Sequence, residues 1–403
     1  MERVDVLIAG GGAVGLALAL ALRQAAGNAL RVAVADPAVE ATSRGDSRAY
    51  AVVAGARRFL AAFGAWEAMA EAAEPIRRME ITDSGLEEIV RPLMLDFEQD
   101  KVTESFAHMV PNRIILEALL DRAKDAGVRL LPLDVTGTRI EGQWRIAETA
   151  DGGIGARVLV AADGRQSRLR LAMGIPAYGW SYPQTAIVGT ISHSLPHEGV
   201  AVQHFLPAGP FALLPLRGNR SSIVWSEHPD VARRMLALDP DDLVAEVDRR
   251  AAGRHGTVTA IEGASAFPLS VNVARSFVGP RFALLGDAAH GYHPLAGQGL
   301  NYGLRGAAAL AEAIVEAARL GLDIGSEQAL APYEAGRRPD AMAMVAATEV
   351  LNRLFSNDAG SIRTLRDVGL GVVNRLPPLK RRLLAIAAGD SALAPRAFRP
   401  ESD

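Results

Sequence analysis

Hydrophobic residues form one unbroken run near the start of the chain and then spread into a helical spacing. The run is Val6-Leu7-Ile8-Ala9, and a continuous apolar run is typical of a parallel strand that is buried on both faces. A glycine-rich loop, a smooth apolar segment of helical character and a second apolar run, 32–35, follow it. This order predicts a strand, a helix and a second strand at the start of an α/β domain.

The loop between the first strand and the helix carries Gly10, Gly12 and Gly15 in the pattern G-x-G-x-x-G. The first glycine allows the tight turn, the second lets the backbone approach a pyrophosphate, and the third lets the helix pack on the strand. The N–H groups and positive end of the helix favour phosphates. Asp36 closes the second strand, where its carboxylate can accept hydrogen bonds from ribose hydroxyls. The pattern predicts dinucleotide binding; the alternative is a glycine-rich turn in an ordinary βα unit.

Two later apolar strands also end in an acidic residue. One runs into Asp163-Gly164 and the other into Gly286-Asp287, and ligands of doubly wound sheets bind outside the carboxyl ends of the strands. A glycine loop and a long Ala-rich helix follow Asp287, so segment 297–301 would bring backbone N–H groups and a positive helix end to a planar ring. Asp287 is predicted to bond a ribityl or ribose hydroxyl.

The pattern changes between and after these strands. Segment 177–228 reads as antiparallel strands separated by proline and glycine breaks, and 76–109 holds short strand-like pieces; together they predict a sheet-based substrate domain. The tail from 332 onwards is helical with breaks. Its segment 376–386 is both basic and apolar, which leaves two alternatives: packing on the body, which we favour, or resting on an anionic membrane.

The amino-acid composition of the chain argues against several classes of function. The chain has 403 residues, 49% of them hydrophobic, with 43 basic and 46 acidic residues and a net charge of -3. This balance argues against a nucleic-acid partner. The chain has no cysteine, which excludes disulfides, thiolate catalysis and iron–sulfur clusters, and the spacing of His290 and His293 without a carboxylate pattern predicts no metal site. With no room for a signal peptide before the first strand, we expect a cytoplasmic protein; contact with the inner membrane stays open.

These elements together resemble the class A flavoprotein monooxygenases, the group that includes p-hydroxybenzoate hydroxylase. A finer match to the ubiquinone-biosynthesis hydroxylases runs nearly end to end. It is carried by segments 46–48, 110–113, 180–184, 204–210, 286–301 and 333–338. The resemblance implies an α/β fold with a Rossmann-like FAD-binding domain of the p-hydroxybenzoate hydroxylase type, an inserted antiparallel-sheet substrate domain and a helical C-terminal region. The expected FAD-binding domain is discontinuous, at 1–75, 110–172 and 278–345, the substrate domain comprises 76–109 and 173–277, and the C-terminal region is 346–403.

The resemblance also implies which residues bind FAD, at the phosphates, the ribose and the isoalloxazine. The pyrophosphate side would be held by Gly10, Gly12, Ala13, Val14, Gly15 and Arg113, the ribose by Asp36, and the adenine by the backbone of Val135. Arg44 and Arg48 would lie near the phosphates and ring, Asp163 and Gly164 would serve FAD and reduced nicotinamide, and Asp287, Pro294, Gly297, Gln298, Gly299, Leu300 and Asn301 would face the ribityl chain and the ring. Gly306 departs from the family's pattern, because relatives usually carry an aspartate at this position.

The implied reaction is hydroxylation of a polyprenylated phenol on the way to ubiquinone. Because no side chain activates O2, the flavin would do so as a C4a-hydroperoxide, after reduction by NAD(P)H or by another electron donor. A ubiquinone-biosynthesis complex is a further implied partner. Two alternatives stay open: a class A hydroxylase of a small soluble aromatic, and a non-catalytic flavin-binding accessory subunit. No catalytic base is assigned; Arg48 and Pro294 are candidates for positions next to the ring, and His204, Gln203 and His108 for the substrate side.

Overall fold

The computed structural model describes residues 1–39, 48–83, 93–98, 105–292, 297–355 and 394–399, arranged as three sheets and nine helices within these ranges. None of the helices in these ranges is both long enough and apolar enough to cross a membrane.

The first sheet is built around the βαβ unit that the sequence predicted. Its strands are β1 (Glu2–Ala9), β2 (Val32–Ala35), β8 (Arg129–Leu131), β9 (Gly137–Glu141), β10 (Trp144–Thr149), β11 (Gly152–Ala161), β17 (Val278–Gly279) and β18 (Phe282–Leu284). The central order is β17-β18-β11-β1-β2-β8, with β18, β11, β1, β2 and β8 parallel and a β9–β10 hairpin on β11. Val6, Leu7 and Ile8 are fully buried, as a strand covered on both faces requires.

Helices cover this sheet, and two of them approach each other closely at one glycine. They are α1 (Ala13–Ala26), α2 (Ala54–Ala62), α3 (Trp66–Ala70), α4 (Asn112–Asp125), α5 (Arg168–Ala172), α8 (Gly299–Arg319) and α9 (Glu327–Phe355). A Cβ added at Gly303 of α8 would lie 2.6 Å from a methyl group of Val14 in α1, so the two helices approach more closely there than any side chain would allow. Segment 394–399 packs on α2, where Arg58 donates to the carbonyl oxygen of Phe398 at 2.7 Å.

The second sheet confirms the predicted antiparallel pattern of 177–228. Its strands are β5 (Arg78–Asp83), β6 (Leu93–Glu98), β12 (Ala177–His193), β13 (Val200–Leu206), β14 (Gly209–Leu216), β15 (Arg220–Glu227), β16 (Val258–Ala274) and β19 (His290–Gly291). The order is β19-β16-β12-β15-β14-β13-β5-β6, and only the β13–β5 pair is parallel. Two helices, α6 (Pro229–Leu236) and α7 (Pro240–Ala251), pack on it. A third sheet, β3 (Ala49–Val53), β7 (Ala107–Pro111) and β4 (Glu74–Ile76), completes the fold.

The two faces of the second sheet differ sharply. Residues directly opposite each other on neighbouring strands share a face, and the row Ile187, Trp225, Phe211, His204 and Thr82 is buried throughout. The next row along the strands lies on the opposite face, and all its side chains keep partial exposure: Val188, Val224, Ala212, Gln203 and Ile81. We name the first the helix-covered face, because its apolar side chains pack with α6 and α7, and the second the open face.

Candidate cofactor and substrate site

The carboxyl ends of the parallel strands meet at one edge of the first sheet. Ala162 N–H donates to the Ala9 carbonyl at 2.7 Å, and Leu285 N–H donates to the Ala161 carbonyl at 2.9 Å. The segments that follow β1, β11 and β18 therefore lie side by side. We name this edge, with the end of β2, the cofactor edge.

The glycine loop after β1 has a backbone that only glycine permits. Gly10 has φ 121°, and a Cβ there would lie 2.2 Å from the carbonyl oxygen of Ala162. A Cβ at Gly15 would lie 2.1 Å from the Gly10 oxygen. By contrast, apart from its chain neighbours, no atom of the described residues lies within 4 Å of a Cβ built at Gly12, which is also the N-cap of α1 and provides no side-chain cap. The start of α1 is thus open to an anion.

Asp36 ties this loop to the end of β2. Gly11 N–H donates to its Oδ2 at 2.7 Å, and Ala38 N–H donates to its Oδ1 at 2.8 Å. Each carboxylate oxygen keeps a second lone pair, so the side chain can fix the loop and still accept a ribose hydroxyl.

Asp163 offers a buried acceptor at the end of β11. Its Oδ2 accepts from Leu169 N–H at 3.2 Å, whereas its Oδ1 is buried and has no hydrogen-bond partner among the described residues. Arg170 then links this turn to the next strand end by donating to the Ala288 carbonyl at 2.8 Å. Gly164 follows in a left-handed conformation, φ 82°. An unpaired buried carboxylate oxygen is a place for a donor group of a ligand.

Asp287 follows β18 at the cofactor edge, and we name the partly exposed space beside its carboxylate and Arg165 the cleft. The Asp287 side chain keeps 46% of its accessible surface, yet the surrounding protein removes enough water to raise the pKa of its carboxyl, while Arg165 and then Arg48 oppose that rise. Arg165 Nη2 lies 3.7 Å from Asp287 Oδ2 and its Nη1 donates to Ser270 Oγ of β16 at 3.2 Å. Arg165, which the sequence analysis did not single out, therefore joins the two sheets at this cleft; its place directly after Asp163-Gly164 was the available signal.

The start of α8 closes the cleft on one side. Asn301 is buried and clamps β3, because its Nδ2 donates to the Ala51 carbonyl at 2.8 Å and its Oδ1 accepts from Val53 N–H at 3.1 Å. Its side chain is thereby committed to the protein. The predicted contact of segment 297–301 with the ring thus rests on backbone N–H groups, which the first turn of a helix leaves without intrahelical acceptors.

Arg48 connects the cleft to the open face. Its guanidinium carbon lies 5.4 Å from the ring centroid of Phe267 and 5.7 Å from that of Tyr50. Phe267 pairs with Ala186, two residues from Val188, so it shares the open face. Since Arg48 also acts on the Asp287 carboxyl, the open face looks towards the cofactor edge.

Other predicted residues have different surroundings. Arg113 is exposed in the first turn of α4 and pairs with Glu117 at 3.0 Å, and Val135 is buried between β8 and β9. Their contacts with FAD stay predictions. Arg44, Pro294, His293 and the basic segment 376–386 lie outside the described residues.

The substrate-side candidates separate into two groups. His204 belongs to the helix-covered face, where its Nδ1 lies 2.6 Å from Thr82 Oγ1 and its ring stacks on Phe211, so its role is structural. His108 lies edge-on to Trp66 with ring centroids 5.2 Å apart. Gln203 alone of the three is on the open face.

The residues at the cofactor edge fit FAD. They provide an open, uncapped helix start for a pyrophosphate, the Asp36 carboxylate for a ribose, and a buried carboxylate oxygen at Asp163 without a donor among the described residues. Together with a second sheet whose open face looks onto the cleft, they define an FAD-dependent monooxygenase of class A.

Comparison with known proteins gives the same class. The chain belongs to the FAD binding domain family, whose model matches residues 3–348. It is 42% identical to a ubiquinone hydroxylase, UbiL, of Rhodospirillum rubrum, over 97% of this chain and 91% of that protein. It is 33% identical to the 3-demethoxyubiquinol 3-hydroxylase of Escherichia coli, over 96% of this chain and 99% of that one. The crystal structure of p-nitrophenol 4-monooxygenase from Pseudomonas putida shares the fold, with a TM-score of 0.78 and 17% identity over the whole of both chains.

Proposed function

We propose that this protein hydroxylates the aromatic ring of a polyprenylated phenol on the way to ubiquinone, with O2 as oxidant and NAD(P)H or another donor as reductant. The observation that carries the proposal is similarity along almost the whole chain to two proteins named as hydroxylases of ubiquinone compounds. The open face supports it, because its row of partly exposed side chains beside the cleft is apolar except for Gln203 and suits a long apolar tail.

In this proposal FAD, when bound, supplies the activation of O2 that no side chain provides. The glycine loop and Asp36 hold its pyrophosphate and ribose, and Asp163 accepts a hydrogen bond from the cofactor. The start of α8 and Arg48 place positive charge beside the ring. The second sheet holds the phenol over the ring and keeps water away, as a productive geometry requires.

We retain the predicted division into an FAD-binding domain, a substrate domain and a C-terminal region as part of the proposal. The first sheet, with its glycine loop and aspartates, would form the FAD-binding domain, and the second sheet the substrate domain. Membership of a ubiquinone-biosynthesis complex is a further part of the proposal, supported by similarity to a protein named as a ubiquinone hydroxylase. Segment 376–386 lies outside the described residues, so its packing on the body, which we favour, and its contact with a membrane both stay predictions.

Complementation tests the proposal. The gene is expressed in an Escherichia coli strain that lacks its 3-demethoxyubiquinol 3-hydroxylase, and the extracted quinones are analysed by mass spectrometry. The proposal is supported if ubiquinone returns and the precursor that lacks one ring oxygen disappears. If ubiquinone stays absent, other strains each lacking one ring hydroxylase are tried, because the ring position differs between such enzymes.

The two alternatives give different results in the same system. A hydroxylase of a small soluble aromatic would restore no strain, but purified protein would consume O2 with soluble phenols. An accessory subunit would bind FAD and show no substrate-dependent O2 uptake with any phenol. Either result would overturn the proposal.

A further inference from the structure

A groove crosses five consecutive strands of the second sheet on its open face. One partly exposed side chain from each of β12, β15, β14, β13 and β5 forms its floor: Val188, Val224, Ala212, Gln203 and Ile81. At the usual strand spacing of about 4.8 Å, the floor is about 19 Å long. It is therefore longer than a single aromatic ring and suits a ring that carries a prenyl chain.

Buried rows flank this floor on both sides. Side chains two positions apart along a strand point to the same face. On one side of the floor the next row is buried in all five strands: Ala186, Ser226, Pro210, Phe205 and Asp83. On the other side Thr190, Ser222 and Ala201 are buried. Leu214 and Met79 complete that row and pack against the hydrophobic core that contains the first sheet. The groove is thus one side-chain row wide and lies beside the contact between the second sheet and the rest of the molecule.

Gln203 is the one polar side chain of the floor. Ala212 and Ile81 lie directly opposite it on the two neighbouring strands. Ala201 and Phe205 flank it on the same face of β13, so the four nearest side chains on this face are apolar. The amide of Gln203 makes no hydrogen bond within the part of the chain that the structure describes, although an amide can donate two hydrogen bonds and accept two.

A single amide in an apolar groove favours a ligand with one polar end. Small-molecule sites are mostly apolar and use a few polar groups to fix the orientation of the ligand. When a ligand covers the amide, the amide loses its hydrogen bonds to water, so the ligand must replace them or bind less tightly. A polyprenylated phenol has polar atoms on its ring and none in its tail. Such a molecule would be oriented in the groove by a ring oxygen.

We propose that Gln203 forms a hydrogen bond with a ring oxygen of the phenol and thereby decides which ring carbon faces the flavin. This inference rests on the proposed function and names the residue that determines its specificity. The amide can accept a hydrogen bond from a phenolic O–H or donate one to the oxygen. Pairing with β14 and β5 on both sides fixes the position of β13, and a ring held from a fixed point presents one carbon for attack.

Binding of two probes to oxidised, FAD-loaded protein tests the proposal without turnover. Geranylphenol has the ring hydroxyl, and geranylbenzene lacks it. The dissociation constants of both probes are measured by isothermal titration calorimetry for wild type, Gln203→Met and Val224→Ala. Methionine has nearly the length and volume of glutamine without the amide. Val224→Ala is the matched control, because it removes an apolar contact from the same floor and leaves the amide in place.

The ratio of the two dissociation constants should shift about tenfold towards geranylbenzene in Gln203→Met, which is the effect of about one net hydrogen bond. Val224→Ala should weaken the binding of both probes and keep the ratio of wild type. An unchanged ratio in Gln203→Met would overturn the proposal. Tighter binding of both probes by that variant would also overturn it, because the apolar tail, and not the ring, would then lie at Gln203.

Turnover gives a second measurement. With NAD(P)H and O2, wild type should form one hydroxylated isomer of a prenylated phenol, and Gln203→Met should form a mixture of ring positions. The two proposals fail separately. Restored ubiquinone in the complemented strain with an unchanged probe ratio would remove only the role of Gln203. A shifted ratio without restoration of any strain would support the contact at Gln203 and contradict the proposed reaction.

Discussion

The cofactor edge of the first sheet and the open face of the second are constructed differently. At the cofactor edge the backbone is constrained, because a Cβ at Gly10 or Gly15 would lie about 2 Å from a carbonyl oxygen. On the open face, side chains such as Val188 and Val224 are partly exposed, and they are not constrained in this way. We therefore expect cofactor binding to depend on backbone geometry, and the proposed fit of a substrate to depend on side chains that can change without disturbing the fold.

The largest expected effect is at the cofactor edge. Gly12→Asp places a carboxylate where a pyrophosphate would lie, and like charges about 4 Å apart repel by about 4 kcal/mol near a protein surface, a loss of roughly 10³-fold in FAD affinity. Aspartate is also a favourable N-cap for α1, so the apoprotein should keep its melting temperature. Titration of apoprotein with FAD measures the affinity.

Gly12→Asn is the matched control, since it adds nearly the same volume without the charge. It should weaken FAD binding far less than Gly12→Asp. Equal losses in the two variants would mean that volume, and not an anion at the start of α1, governs the effect.

The next largest effect is a difference in the loss of stability between two adjacent residues, one on each face of the second sheet. Ile223 is buried on the helix-covered face and Val224 is partly exposed on the open face. Ile223→Ala should lower the free energy of unfolding by about 3 kcal/mol, and Val224→Ala by roughly 0.5 kcal/mol. In urea titrations, similar losses at both positions would contradict the description of the open face.

The variants Val224→Ala and Ile223→Ala also test the proposed substrate site. Val224→Ala should raise KM for a prenylated phenol by about tenfold, the order expected for lost apolar contacts, and should leave the affinity for FAD unchanged. Ile223→Ala should change stability and leave KM close to that of wild type. A KM that is unaffected in Val224→Ala would remove the open face from the substrate site.

A further expected effect is a pH dependence of stability at the second sheet. His255 is buried beside His193, with ring centroids 5.0 Å apart, and burial lowers its pKa from 6.5 to about 4. Between pH 6.5 and 4 the unfolded chain binds the proton more tightly, so stability falls as pH falls through this window. For His255 alone the loss from pH 7.5 to pH 5 is about 2 kcal/mol.

His255→Phe should remove that part of the pH dependence. Urea titrations of both proteins at pH 7.5 and pH 5 give the difference, and the other titrating groups cancel in the comparison. Equal pH dependence in wild type and variant would show that His255 is not held neutral.

The sequence predicted the cofactor edge better than the open face for a physical reason. Gly10, Gly15 and Asp36 are required by local backbone geometry, so their spacing along the chain records their role. Residues such as Arg165 and Phe267 act across two sheets, and nothing in local sequence records which strands become neighbours. His204 illustrates the same limit: its segment was correctly placed in the second sheet, but a shift of one residue decides which face a side chain occupies.

The ion pairs that join α8 and α9 could not be predicted from the sequence, for a related reason. Arg305 and Arg337 are 32 residues apart along the chain, and their shared carboxylate becomes apparent only when α8 and α9 pack together. Gly306 stands where relatives usually carry an aspartate. This difference was a partial signal, because it placed the ion pairs of this part of α8 in question. In the structure Arg305 pairs with Asp340 of α9.

Transfer of labelled oxygen tests the central claim most directly. Purified FAD-loaded protein is given NAD(P)H, a prenylated phenol that accumulates in the hydroxylase-deficient strain before complementation, and ¹⁸O2, and the phenol is analysed by mass spectrometry. The account predicts one ¹⁸O atom on the aromatic ring, and loss of that product in Gly12→Asp. Reduction of FAD followed by O2 consumption without label in any phenol, prenylated or soluble, would contradict it.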